Sequence, residues 1–115
     1  MIALALHRYA ADHRDPRNIV LHCWGVPLVL MGLATVALNG AQAMALSVAL
    51  LLSGGLLQAL GHVYEGRRPR HSWVQGCVAP LFVGLQGLHR LGLAQQAWAR
   101  VEAAAGPRRL RDLAL

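Results

Sequence analysis

The chain contains no lysine, and its five acidic residues are outnumbered by eleven arginines, so the net charge of +6 is entirely guanidinium. Cysteine is equally scarce: Cys23 and Cys77 are the only two. Both fall inside apolar stretches, where a free cysteine acts as a small hydrophobe, and two such residues make neither a disulfide framework nor a zinc-ligand spacing. Charge of either sign is missing from Asn18 to Tyr64. With 14% charged and 56% hydrophobic residues in 115 positions, and a mean hydropathy of +0.41, the chain lacks the charged surface that a soluble domain of this size carries. A pI near 11.1 raises the question of nucleic acid. The arginines, however, sit at the borders of apolar segments, where topology signals and lipid phosphate contacts belong, and no basic surface is interleaved with aromatics. Nucleic acid is therefore not an expected partner, and the sequence holds no internal repeat or low-complexity segment.

A spanning helix needs about 20 apolar residues, so the uncharged tract is long enough for two, joined at Asn39-Gly40. The expected fold is all-α: a small helical integral membrane protein forming one domain over residues 1–115. It consists of a helical hairpin, a third proline-interrupted membrane segment and amphipathic terminal helices. Met1 to Arg14 has Ile2, Leu6, Tyr9 and His13 on one helical stripe. Asp15-Pro16 then reads as a helix start, a capping carboxylate followed by a proline whose missing N–H costs nothing there. The first hairpin helix should run from Pro16 to about Leu38, kinked at Pro27, and the second from about Gln42 to Glu65. The third segment, His71 to His89, carries Pro80 near its middle and either spans straight or re-enters. Leu93 to Ala105 reads as a surface helix ended by Gly106-Pro107, with a flexible tail from about 106. Ala41-Gln-Ala43 resembles a signal cleavage site, but the apolar run before it is longer than a signal core, so a retained anchor is expected. Arginines flanking the N-terminus and the loop after Glu65 place both in the cytoplasm, at the inner membrane if the source is bacterial.

The polar residues of the tract gather at one end. Gln58, His62 and Glu65 share a helical face, as do Asn18 and His22. Folding the hairpin about Gly40 sets residue 22 opposite 58 and residue 18 opposite 62, and the four-residue offset between His22 and His62 is roughly 6 Å of rise. His13 and Glu65 fall at the same boundary. Intramembrane ionisable groups are costly and tend to be kept for a use, and this set has the reach to share a metal ion. Imidazole and carboxylate ligands suit iron(II), zinc or manganese, and the spacing does not choose between them.

These residues also resemble a known family, the Mpo1-like membrane proteins. The match rests on Tyr9, His13, Pro16, Asn18, His22 and Pro27 in a first block, then Gln58, Gly61-His62, Glu65, Arg67-Arg68-Pro69 and Ala79-Pro80 in a second. It covers about residues 6 to 93. The resemblance implies an Fe(2+)-dependent dioxygenase that removes the carboxyl carbon of a 2-hydroxy fatty acid with molecular oxygen, working in the lipid bilayer. It also implies metal ligation by His13, His22 and His62, with Glu65 as a further catalytic or ligand residue. Asn18, Gln58, Arg67 and Arg68 are expected to support the site or to bind substrate. This chain departs from the family pattern in one respect: His62 and Glu65 are three residues apart where the family has four, although both spacings share a helical face. His71 and His89 match nothing in the pattern. Two other classes fit the same helices, a metal-dependent hydrolase with a bound water as nucleophile and a non-enzymatic membrane scaffold.

Overall fold

The computed structural model describes residues 1–66 and 73–110, and every regular element among them is helical. In order these are α1 (Ile2–Asp12), α2 (Pro16–Asn39), a 3₁₀ turn (Gly40–Ala43), α3 (Met44–Glu65), α4 (Trp73–Arg90) and α5 (Gln95–Ala105). Asp15 opens α2: its side chain accepts the Arg17 backbone N–H at 2.9 Å, and Pro16 takes the first helical position. The helix continues through Pro27 to Asn39. Gly40 then adopts φ 60° and ψ −144°, a backbone open to glycine, and the chain turns back.

Helices α2 and α3 pack antiparallel along a seam of small residues. A β-carbon on Gly54 would lie 2.6 Å from the Gly25 carbonyl oxygen, and one on Gly25 would lie 2.8 Å from that of Gly54, so neither backbone has room for a side chain. One step nearer the turn, the buried Ser47 hydroxyl donates to the Gly32 carbonyl at 2.7 Å. The register is one residue off the sequence expectation. Asn18 meets Gly61, and Gly25 meets Gly54, because the chain reverses at the Asn39–Gly40 junction and enters the 3₁₀ turn at once instead of pivoting evenly about Gly40.

The remaining helices build a small core on one side of this pair. Tyr9 and Ala10 from α1, Ile19 and Val26 from α2, Phe82 from α4 and Trp98 from α5 are among its buried members. One expectation is corrected here. The interruption at Pro80 does not occur, since α4 passes through Pro80 as one helix. The proline forfeits the bond to the Gly76 carbonyl, while Val78, Ala79, Phe82 and Gln86 bury the helix on both sides of it. Among the described residues only the stretch Pro16–Glu65 is long and apolar enough to cross a membrane, and α4 packs against α1 and α2. The outer faces of α2 and α3 stay uncovered, with Val20, Trp24, Leu33, Leu46, Leu52 and Leu56 exposed.

Candidate metal centre

Three imidazoles from three helical segments meet at the open end of the α2–α3 pair. His13 caps the C-terminus of α1, and its Nδ1 lies 2.7 Å from the Tyr9 carbonyl oxygen. His22, in the second turn of α2, sets its Nδ1 3.0 Å from the Asn18 carbonyl oxygen. A carbonyl oxygen only accepts, so both rings carry the proton on Nδ1 and present the Nε2 lone pair. His62, in the last turn of α3, completes the group. Ring centroids are 4.6 Å apart for His13 and His22, 4.9 Å for His22 and His62, and 5.3 Å for His13 and His62, each pair edge to face.

One donor atom from each ring lies within 4.8 Å of the others, a grouping that can hold a metal ion. The orphaned polar atom agrees with this: His13 Nε2 is buried and has no hydrogen-bond partner, which a metal would supply. Burial first, and then His22, hold the His13 imidazole well below its usual range against the pull of the Tyr9 carbonyl. It is therefore neutral, the form that ligates.

Glu65 is placed differently from the role expected of it as a further ligand. It is 1% exposed. One carboxylate oxygen accepts the Arg14 backbone N–H at 3.0 Å, and the other accepts the Asp15 N–H at 3.0 Å and the Asn18 amide at 2.9 Å. The carboxylate thus braces the turn that carries His13. A three-residue step from His62 instead of four changes the direction in which a side chain leaves the helix by about 100°. Asn18 joins both systems, since its carbonyl orients His22 and its amide holds Glu65. Gly61 makes this convergence possible: a β-carbon there would meet Asn18 Oδ1 and, at 3.0 Å, His22 Nδ1. Gln58 lies one turn from His62 and packs its side chain over Gly25. Arg67 and Arg68, expected to support the site or to bind substrate, lie outside the described residues.

Sequence reasoning gave Arg14 only a border role, yet it is 2% exposed and ties the centre to the C-terminal part of the chain. Its Nε donates to the carbonyls of Ala10 at 2.6 Å and His13 at 3.2 Å. Its terminal nitrogens reach the Glu102 carboxylate at 3.2 and 3.3 Å and the Gly106 carbonyl at 3.0 Å. The Arg109 N–H returns to the Arg14 carbonyl at 3.0 Å. The stretch from 106, expected to be loose, is thus pinned as far as Arg109. Nothing local in the sequence marks the pair, because Arg14 and Glu102 are 88 residues apart.

Burial by itself would raise the Glu102 carboxyl, but Arg14 and then Arg108 override it and hold the group below its usual value. A depressed folded-state pKa contributes stability that is complete above the unfolded value of 4.5 and is lost as pH falls through the folded one. Acidification below 4.5 should therefore loosen α5. Amide hydrogen exchange checks this, and α5 protection that does not change with acidification would contradict it.

Fold and centre together define a class: among the described residues, an all-helical protein in which a tight helix pair and a flanking helix bring three histidines together beside a long apolar stretch. Within that class the family is shown. Residues 2–90 match the family model described as 2-hydroxy-palmitic acid dioxygenase Mpo1-like, and the chain belongs to the Mpo1-like family. No curated protein and no solved structure matches it.

Proposed function

We propose that this protein is an integral membrane, iron(II)-dependent dioxygenase that shortens 2-hydroxy fatty acids by one carbon. The observation that carries the reading is the trio of His13 and His22, both buried, and half-buried His62 in a chain of the Mpo1-like family. Balanced, one 2-hydroxy acid and one molecule of oxygen give the acid one carbon shorter, carbon dioxide and water. Iron(II), when held, supplies the redox chemistry that activates oxygen, and a facial set of protein ligands leaves positions open for it.

The protein's own residues do the rest. The three imidazoles hold the ion, and Glu65 and Asn18 fix the turn and the ring orientations that aim them. The exposed apolar faces of α2 and α3 meet lipid. At 24 residues α2 is roughly 36 Å long, enough for a hydrocarbon core of about 30 Å. The centre then lies at the boundary, where an acyl chain stays in lipid while its carboxylate reaches the ligands. Arginine placement puts the N-terminus and the loop after Glu65 on the cytoplasmic side.

The test supplies membranes containing the protein with a 2-hydroxy fatty acid and its unsubstituted counterpart under oxygen. Only the hydroxy acid should yield the shorter acid, with oxygen consumed, and iron chelation should stop the reaction. Equal conversion of both acids, or turnover that survives chelation, would overturn the proposal. One observation favours a second reading: a set of three imidazoles also binds zinc, with an activated water in the fourth position. Such a hydrolase would consume no oxygen. A scaffold protein would keep its function after His22→Ala.

A further inference from the structure

The Tyr9 side chain has a feature that the metal centre leaves unexplained. Its ring lies stacked on His13, with centroids 4.0 Å apart, and rests 5.2 Å from Phe82 and 6.5 Å from His22. The residue is 3% exposed, and its hydroxyl has no hydrogen-bond partner. Packing on His13 and Phe82 needs only the ring, and phenylalanine would provide it without burying an unpaired polar group. Unpartnered among the described residues, the hydroxyl is destabilising as it stands, and the ring that bears it is stacked on His13.

We propose that the Tyr9 hydroxyl is a substrate-binding group that donates a hydrogen bond to a carboxylate oxygen of the 2-hydroxy acid. This rests on the substrate reading above. A 2-hydroxy acid carries three oxygens. If the hydroxyl and one carboxylate oxygen face the centre, the second carboxylate oxygen enters a water-poor site and needs a donor. The Arg14 guanidinium, the buried cation nearby, is already committed to Glu102, Gly106, Ala10 and His13. Tyr9 offers the O–H that lacks an acceptor, and α1 presents it beside His13, one helical turn away.

The test is Tyr9→Phe, which removes one oxygen atom and keeps the ring. Three quantities are measured on wild type and variant: the thermal midpoint without metal, the iron(II) affinity, and the anaerobic Kd of a 2-hydroxy fatty acid for the iron-loaded protein. The variant should melt at the same temperature or higher, bind iron equally well, and bind the hydroxy acid about tenfold or more weakly, as loss of a bond to a charged group entails. Equal Kd values in the two proteins would overturn the role of Tyr9 and leave the substrate reading standing. Failure of the wild type to bind the acid would overturn both. A lower midpoint together with weaker iron binding would show the hydroxyl to be structural, and would also overturn the proposal.

Discussion

Replacing His22 by alanine should leave a helical protein that retains no iron after anaerobic purification. His22 is buried, its Nδ1 is held by the Asn18 carbonyl, and its ring stands 4.6 Å from His13 and 4.9 Å from His62. Among the described residues the nearest polar side chains are engaged elsewhere: Glu65 is turned onto the backbone of Arg14 and Asp15, and Asn18 gives its amide to Glu65. Loss of a supporting hydrogen bond behind a ligand typically costs 10- to 100-fold in metal affinity, and loss of one ligand in three should cost more. Circular dichroism and metal analysis of the same preparation check the two halves of the claim. Iron retained in full by the variant would remove His22 from the centre, and the same comparison applies to His13 and His62.

Glu65→Gln should be among the most destabilising conservative changes in the chain. Both oxygens of Glu65 face donors, one meeting the Arg14 N–H and the other meeting the Asp15 N–H and the Asn18 amide. Glutamine turns one oxygen into a donor whichever way it is placed, so a buried N–H is opposed by another donor. Leaving a buried donor unsatisfied in this way costs about 1–3 kcal/mol, and the turn carrying His13 is the part released. A lowered thermal midpoint in the metal-free protein, together with weakened metal binding, is the expected pair of results. An unchanged midpoint would mean that the carboxylate braces nothing.

Much of this was legible because local chemistry decided it. Asp15-Pro16 starts α2 because cap and proline each suit that position, and Asn39-Gly40 ends it because glycine can take φ 60°. The convergence of His22 with His62 followed from helical spacing and a hairpin, and His13 from its place just before the cap. What sequence did not reveal is held by distance along the chain. Arg14 read as one border arginine among several until the structure set Glu102 against it. Residues 106–109 read as tail, because glycine and proline there say nothing of an acceptor on Arg14. Glu65 shared a face with His62 in outline, but a one-residue change of spacing re-aims a side chain, and only its partners reveal where. Pro80 marks a lost hydrogen bond, and its neighbours' burial decided that the helix would continue regardless.

The bonds from Arg14 to Glu102, Gly106 and Arg109 also bear on the order in which the protein is made. A ribosome adds about 5–20 residues each second, so the 88 residues that separate the guanidinium from its carboxylate take roughly 4 to 18 seconds to emerge. During that interval the two long helices already exist, and His13, His22 and His62 can come together with Glu65 bracing the turn, while the Arg14 guanidinium in that turn still lacks its own carboxylate partner. A nascent chain thus holds its candidate centre by one brace, the Glu65 carboxylate, until α5 supplies the other. Helix α5 acts as a late stitch, fastening from outside a turn that the hairpin has already set.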